Sequence, residues 1–443
     1  MDQQLTEGSI IKGMLRFSVP YLISCFLQTF YGMADLFITG HYCGAESLTA
    51  VHIGSQLMHM LTVIIVGLAM GTTVQIARSV GARDSRRAAR GIGNSVAIFL
   101  VFSLVLTTVL LLGTGGILRI LATPEEALAE ARAYLVICFG GIPFITAYNV
   151  ISSIFRGLGD TRRPMVFVGI AGVINVLGDI LLIGPCHMGA AGAAAATVFS
   201  QAFSVGIALL SLRKQNSGLK LSVRDLKPER SMSASILSVG LPIACQDGLI
   251  QVSFLVITAI ANSRGVQVAA AVGIVEKIIS FLFLVPSAML STVSALAAQN
   301  AGAGKHERGK QVLGYGVRLC IGFGLAVFVL CQFLSPQIVS LFVRENPEVV
   351  RLGGQYLRAY ALDCVFAGIH FCFSGFFSAY GKSLYSFFHN IVSILTVRIP
   401  GAWLASVLFP ATLYPMGLAA PLGSALSALI CLALYRRGMR HWE

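Results

Sequence analysis

The sequence predicts an all-α polytopic membrane protein with twelve transmembrane helices, arranged as two six-helix lobes that are related as parallel repeats. The first observation behind this prediction is composition: 56% of the 443 residues are hydrophobic and only 12% are charged, which lies outside the range of soluble domains. The second is a series of apolar windows, each long enough to cross a bilayer core of roughly 30 Å. The third is an internal duplication.

The apolar windows follow one another along the whole chain, separated by short polar loops. Each predicts one spanning helix. The windows are 14–38, 50–74, 92–112, 132–155, 164–184, 189–212, 234–260, 268–296, 313–334, 355–380, 385–408 and 417–436.

Four sequence motifs of the first half return in order in the second half. SVPYLIS at Ser18 matches VGLPIAC at Val239, and ARSVGARDSRRAARG matches AAQNAGAGKHERGKQ. TPEEALAEARAYL matches NPEVVRLGGQYLRAY, and FRGLGDTRRP matches FSAYGKSLYS, always at a spacing close to 222 residues. Six helices per half give both halves the same orientation, as in parallel repeats. We therefore expect an N-terminal lobe at 1–213, a basic linker at 214–233 and a C-terminal lobe at 234–443.

The formal net charge of +13 is distributed unevenly between alternate loops. One set of loops carries most of the basic residues, including Arg83, Arg86, Arg87 and Arg90. The other set holds only Arg119, Arg132, Arg264, Arg344 and Arg351. By the positive-inside rule this asymmetry predicts that both termini lie in the cytoplasm. We expect a multi-pass protein of the cell's inner (plasma) membrane. The basic excess thus indicates topology, and we expect no nucleic-acid partner.

The ten cysteines do not form a recognisable metal or redox motif, because no CxxC occurs. Eight of them lie in apolar windows, where cysteine behaves as a small hydrophobic residue. Cys43 and Cys186 fall in predicted outer loops, so whether they pair stays open. We expect no metal, no cofactor and no enzymatic activity, since the sequence shows neither a nucleophile–base pair nor a phosphate-binding loop after a strand.

Polar residues at one predicted depth of the first six helices indicate a site. Asp35 lies in the first helix, where a carboxylate costs about 2.5–3.5 kcal/mol on insertion scales. Asp179 and Asn175 share a face of the fifth predicted helix, and Thr197 and Gln201 reach a similar level in the sixth. Two carboxylates can pair only if one is protonated or a cation lies between them. The cluster therefore suits a proton relay or a small hard cation.

Further polar and flexible side chains are candidates for a substrate cleft. Tyr31 and Gln28 lie one and two turns before Asp35 on the first helix. The candidates for contact with substrate are Gln28, Gln201, Glu276, Gln251 and Met33.

The chain resembles the multidrug and toxic compound extrusion (MATE) family over essentially its whole length. The matching features are Pro20 followed by ADLFITG, RGLGDTRRP from Arg156, INVLGD ending at Asp179, and GAAGAAAAT before the sixth helix. The resemblance implies an antiporter that exports cationic, amphipathic drugs in exchange for inward H⁺ or Na⁺. It also implies bending of the first helix near Pro20. The family's cation site maps onto Tyr31, Asp35, Asn175, Asp179 and Thr197.

The C-terminal half departs from some family members, which carry acids in the seventh and tenth helices. Those positions fall here on Ile250 or Gln251 and near Ala367. The half has its own membrane acids, among them Glu276, and Arg398 is a plausible partner for one of them. Glu276 adjoins Lys277, which could partly neutralise it.

Two other transporter classes remain as alternatives. A major-facilitator transporter also has twelve helices in two parallel halves, and GARDSRR superficially resembles its loop motif. A lipid-linked-precursor flippase of the same superfamily would be expected to have a cationic cavity. In each case we expect a monomer whose partners are small molecules and the lipid bilayer.

Overall fold

A computed structural model describes residues 5–214, 225, 227–343 and 346–438. These residues form helices and connecting turns, with no strand among them. Arg344 and most of the linker predicted at 214–233 lie outside the described residues. The helices before the linker are α1 (Ile10–Tyr42), α2 (Ala45–Gly81), α3 (Ser85–Ile120), α4 (Glu125–Gly140), α5 (Ile142–Gly157), α6 (Arg162–Ile183) and α7 (Gly189–Lys214).

The helices after the linker follow the same order, with additional interruptions. They are α8 (Arg230–Asn262), α9 (Val266–Leu282), α10 (Leu284–Gly302), α11 (His306–Ser340), α12 (Pro347–Tyr360), α13 (Asp363–Ala379), α14 (Ser383–Ser393), a π turn (Ile394–Arg398), α15 (Ile399–Leu408) and α16 (Tyr414–Gly438).

The number of spans agrees with the sequence-based count. In the described part of the chain, ten helical segments are long and apolar enough to cross a membrane, and the total reaches 12 if each of two bent helix pairs is one span. The predicted fold class is therefore confirmed.

Two windows predicted as single helices bend by more than 40° in the structure. The windows predicted at 268–296 and 385–408 are also interrupted, at Phe283 and by the π turn, but each remains one span. The helix predicted at 132–155 bends by 47° between α4 and α5. The cause is local, since Gly140 and Gly141 precede Pro143, and proline removes a backbone hydrogen bond. The helix predicted at 355–380 bends by 41° between α12 and α13. This second break contains neither glycine nor proline, and it places Asp363 in the first turn of α13.

The described residues of Val19–Leu237 form one compact unit, called here the N-unit, and those of Leu5–Ser18 and Ser238–Glu443 form the other, called the C-unit. The chain therefore passes between units twice, inside α1 and inside α8. In both helices a proline follows within one turn: Pro20 in α1 and Pro242 in α8.

The segment before α1 is bound to the C-unit by its main chain. Lys305 Nζ donates a hydrogen bond to the Thr6 carbonyl over 3.1 Å, and Arg308 donates to the carbonyls of Glu7 and Gly8 over 2.9 Å each. Charge-assisted bonds of this kind contribute more than neutral ones. They fix the start of α1 on the C-unit.

The two cysteines whose pairing the sequence left open are both free. Cys43 is half-buried just after α1, and Cys186 is exposed between α6 and α7.

Candidate functional site

Three helix segments of the N-unit bring the predicted site residues to one level. Asp35 lies in the last turns of α1, Asp179 lies in the last turns of α6, and Thr197 lies in the first half of α7. The close approach of α6 and α7 depends on small residues: a Cβ on Gly178 would lie 3.0 Å from the Ala196 Cβ. Small residues let membrane helices pack backbone against backbone.

Hydrogen bonds connect the polar side chains of these three helices. Thr197 donates its hydroxyl to Asp35 Oδ2 over 3.3 Å, and Asn175 Nδ2 donates to the Thr197 hydroxyl over 3.2 Å. The Asp35 and Asp179 carboxyl groups lie side by side, within hydrogen-bonding reach of each other. Asp35 is 4% exposed, and Asn175 and Asp179 are 0% exposed. The amide, the hydroxyl and both carboxyl groups thus form one buried cluster.

Several oxygen atoms of this cluster have no hydrogen-bond donor among the described residues. They are Asp35 Oδ1, Asn175 Oδ1, both carboxyl oxygens of Asp179, and Gln201 Oε1. Buried acceptors without a donor are costly. Two ionised carboxylates about 4 Å apart also repel each other by about 4 kcal/mol at an effective dielectric constant of 20. A proton or a small cation would relieve both costs.

The donor set restricts which cation fits. Carboxylate, amide and hydroxyl oxygens suit hard ions such as Na⁺ or a proton bound by a carboxylate. In the described part of the chain, no group of three or more His, Cys, Asp or Glu side chains is placed to hold a metal ion.

A second layer of polar groups surrounds the carboxylates. Gln201 donates to the Tyr31 hydroxyl over 3.2 Å, and Thr39 donates to the Asp35 main-chain carbonyl over 2.7 Å. Tyr134 and Cys138 of α4 lie close enough to Asp35 to interact with it electrostatically. The sequence reasoning did not place α4 at the site. The sequence signal that could have indicated α4 is Tyr134, because it lies in one of the motifs that are matched between the two halves.

The structure brings six of the predicted residues together within the N-unit. Tyr31, Asp35, Asn175, Asp179, Thr197 and Gln201 lie together in the N-unit. Gln28 is half-buried on α1 and takes no part in the hydrogen bonds of this cluster. Met33 is 50% exposed on α1. Gln251 and Glu276 belong to the C-unit.

Pro20, the predicted hinge, is buried inside α1, and the helix continues through it. The Ser24 hydroxyl donates to the Pro20 carbonyl over 2.9 Å. Because proline has no N–H and its ring crowds the preceding turn, a helix bends more readily there.

The C-unit contains a second buried charged cluster around Arg398. Its guanidinium donates to the Tyr360 hydroxyl and lies over the Phe254 ring, 4.8 Å from the ring centroid. Asp363 and Glu276 both lie close enough to interact with Arg398 electrostatically. The sequence had indicated Arg398 as a plausible partner for an acid of this half.

Comparison with known proteins adds family membership to this geometry. The sequence model of the MatE family matches residues 20–181 and matches again at residues 242–404. The chain is 30% identical to the probable multidrug resistance protein YpnP of Bacillus subtilis over 98% of its own length and 96% of the relative's. It is 25% identical to the FAD transporter of Shewanella oneidensis over the same shares of both chains.

Among solved structures, a MOP superfamily transporter from Pyrococcus furiosus superposes with a TM-score of 0.92. The superposition covers 99% of this chain and 98% of that one at 23% identity, which shows the fold alone. The twofold match to one family model also agrees with the internal duplication predicted from sequence. The chain belongs to the MatE family of membrane transporters.

Proposed function

We propose that the protein is a secondary active multidrug exporter that exchanges cationic, amphipathic compounds for inward H⁺ or Na⁺ by alternating access. The observation that carries the proposal is the pair of buried carboxyl groups, Asp35 and Asp179, side by side and with unpaired oxygens. The name of the Bacillus subtilis relative supports the substrate class.

The coupling step is a competition for negative charge. A proton or Na⁺ that reaches the cluster neutralises Asp35 and Asp179, with Asn175, Thr197 and Tyr31 completing the polar shell. The cationic substrate then loses its electrostatic attraction to the protein and leaves. Bending of α1 at Pro20 links the two states, because the chain changes units between Ser18 and Val19.

The energetics of the exchange follow from charge balance. Exchange of one monovalent cation for another moves no net charge, so the membrane potential, about 2.3 kcal/mol per charge per 100 mV, contributes nothing. A tenfold ion gradient then supplies only about 1.4 kcal/mol. Binding of a second coupling ion would raise this driving force. The two carboxyl groups of the site, Asp35 and Asp179, carry enough negative charge to bind two monovalent cations.

The distribution of basic residues supports an orientation with both termini in the cytoplasm, and the proposed location is the plasma membrane. In this orientation the Asp35 level faces the outer half of the membrane, where an inward-moving ion first arrives. The proposed protein acts as a monomer and needs no cofactor beyond its coupling ion. The N- and C-terminal lobes are proposed at 1–213 and 234–443.

The experiment is transport by purified protein in liposomes, with the Na⁺ and pH gradients imposed separately. The variant Asp35→Asn keeps the side-chain shape and removes one charge. We expect it to lower gradient-driven efflux of a cationic dye at least tenfold. Glu126→Gln, which removes an exposed carboxylate of the N-unit, is the matched control and should keep the normal rate. Normal concentrative transport by Asp35→Asn would refute the coupling mechanism.

The same liposomes separate the competing substrate classes. FAD is anionic and is the substrate named for the Shewanella oneidensis relative, and a lipid-linked precursor would be the substrate of a flippase. We expect the cationic dye to be exported and these two to be ignored. Export of FAD or translocation of the precursor in place of the dye would overturn the proposed substrate class.

A further inference from the structure

The helix that carries Asn175 and Asp179 has a counterpart in the C-terminal repeat, and this counterpart contains one additional residue. In α6 the buried positions include Phe167, Val168 and Ala171. In α14 the buried positions include His389, Asn390 and Ser393. These three residues correspond, in order, to the three of α6, because they lie 222 residues further along the chain. Beyond Ser393 the C-unit inserts the π turn Ile394–Arg398. A π turn accommodates one extra residue in an α-helix, and such turns are frequent at functional sites.

The π turn shifts the register of every position after it. The next buried positions of α6 are Asn175 and Asp179. After the π turn the spacing between matched positions is one residue longer than 222. The counterparts of Asn175 and Asp179 are therefore Arg398 and Ala402, and both are buried. Without the extra residue, Val397 would take the place of Asn175. The insertion therefore places a guanidinium where the N-unit has an amide beside its two acids.

Both acids of the N-unit site are missing from the corresponding positions of the C-unit. Asp179 corresponds to Ala402, and Asp35 corresponds to Ile257, which is buried on α8. The C-unit instead carries Asp363 at the position of Gly141, at the break between α12 and α13. It is 0% exposed. The C-unit thus has the cationic Arg398 and one acid at a different position, Asp363, where the N-unit has the two acids Asp35 and Asp179.

Fixed charges of the chain balance each other in this cluster. Arg398, which is buried, and Lys277, which is exposed beside Glu276, supply two positive charges, and the carboxyl groups of Asp363 and Glu276 stand against them. Glu276 accepts a hydrogen bond from the Thr258 hydroxyl over 3.1 Å. Within the described residues, Arg398 Nε lacks an acceptor, and the Asp363 carboxyl group lies near the Ser424 hydroxyl but receives no close hydrogen bond at either oxygen. An unpaired cationic donor and an unpaired anionic acceptor therefore lie in one cluster, which needs no exchangeable ion to be neutral.

The other titratable side chains facing the cluster come from α12, α13 and α14. His370 and His389 have ring centroids 5.4 Å apart, and His389 shares a hydrogen bond of 3.0 Å with Ser374. Among the described residues, the titratable groups around Arg398 and Asp363 include Glu276, Lys277, Tyr356, Tyr360, Cys364, His370 and His389.

We propose that Arg398 is an internal counter-cation, which occupies in the C-terminal repeat the place where the N-terminal repeat binds its exchangeable ion. The π turn is the device that puts it there. Ion coupling is then confined to the N-unit, and the C-unit has no ion site of its own. This consequence rests on the proposed function of Asp35 and Asp179, whereas the role of Arg398 toward Asp363 and Glu276 does not.

The test measures the melting midpoint of purified, detergent-solubilised protein against Na⁺, with choline at equal ionic strength, and against pH. The background variant Asp35→Asn/Asp179→Asn removes the N-unit site and should show no specific Na⁺ dependence and little pH dependence. Adding Arg398→Gln to this background should create a stabilising shift with Na⁺ or with acidification. Adding Asp363→Asn as well should abolish that shift.

Arg264→Gln is the matched control. It removes the same charge from the C-unit, but Arg264 donates to the carbonyls of Phe409 and Pro410 rather than serving a carboxylate. Added to the Asp35→Asn/Asp179→Asn background, Arg264→Gln should leave the melting midpoint independent of Na⁺ and of pH. A folded Arg398→Gln variant whose ion dependence equals that of the background would overturn the proposal.

A variant that fails to fold is also informative. If Arg398→Gln does not fold, the charge-neutral variant Arg398→Gln/Asp363→Asn/Glu276→Gln should fold again, because no buried charge is left unpaired. Failure of this neutral variant would count against a counter-cation. Failure of the proposed function appears separately, as an equal ion dependence of the wild type and the Asp35→Asn/Asp179→Asn background.

Discussion

Replacing Gly54 with alanine should destabilise the protein through a single packing contact beside the candidate site. Gly54 of α2 faces the ring of Tyr134 on α4, and a Cβ on Gly54 would lie 2.2 Å from Tyr134 Cδ1. Ordinary contacts of a Cβ begin at 3.4 Å, so the ring would have to retreat by about 1.2 Å. Tyr134 is 2% exposed, which leaves the ring little space to do so.

The expected cost is that of overpacking a buried contact, about 1–3 kcal/mol. Alanine also raises helix propensity by up to about 1 kcal/mol relative to glycine, which partly offsets the clash. Gly116→Ala on α3 is the matched control, because a Cβ there meets nothing within 4 Å. The difference in the free energy of unfolding between the two variants isolates the clash.

The assay is denaturant unfolding in detergent micelles, extended to a double-mutant cycle with Tyr134→Leu. Because a smaller side chain at 134 removes the obstruction, Gly54→Ala should cost less in the Tyr134→Leu protein than in the wild type. The coupling energy should approach the clash energy of about 1–3 kcal/mol. A Gly54→Ala variant as stable as Gly116→Ala, or strictly additive costs in the cycle, would refute the packing argument.

Three further predictions concern the site, the topology and the hinge. Thr197→Val removes the hydroxyl that donates to Asp35. A hydrogen bond to a charged group contributes about 1.5–3 kcal/mol, so Thr197→Val should change the apparent affinity for the coupling ion in proteoliposome transport by about 10- to 150-fold. The affinity should fall if the ion is Na⁺, which loses an oxygen ligand, and should rise if it is H⁺, because the ionised Asp35 carboxylate loses a donor that stabilises it. Thr197→Ser should keep the wild-type affinity. A membrane-impermeant maleimide should label exposed Cys186 on intact cells, and labelling that requires permeabilised cells would contradict the proposed orientation. Burial raises the pKa of the Cys43 thiol above its ordinary value, so its labelling should lag behind and should increase as the pH rises through that pKa, as mass spectrometry of the labelled peptides would show. Pro20→Ala restores the N–H that a regular helix needs, so it should slow transport without weakening ion-dependent stabilisation, and an unchanged rate would argue against the hinge.

Much of the N-unit site could be predicted from depth alone. Once α1, α6 and α7 are known to be transmembrane helices, helical rise fixes the height of Asp35, Asp179 and Thr197 in the membrane. Height does not fix which faces of the helices meet. Only the packing of α6 against α7, through Gly178 and its neighbours, brings Asn175 within hydrogen-bonding distance of Thr197.

The C-unit shows where this reasoning fails. Nothing in the local sequence indicates the break that places Asp363 in the first turn of α13, since no glycine or proline lies there. The π turn that ends at Arg398 has one local signal, Pro400, which lies in the first turn of α15 and lacks a backbone N–H. Both are local departures from a regular α-helix, and apolar length alone does not predict where they occur.

The sequence by itself determined the span count, the duplication and the acids held in the membrane. Apolar length, repeated motifs and the cost of a charge in hydrocarbon are properties of the chain that need no neighbours. Tertiary structure alone decided that Asp35 and Asp179 lie side by side and that Arg398 occupies the corresponding place in the other repeat. The physical reason is that a one-residue shift rotates a helix by about 100°, and only packing selects which side chain then points inward.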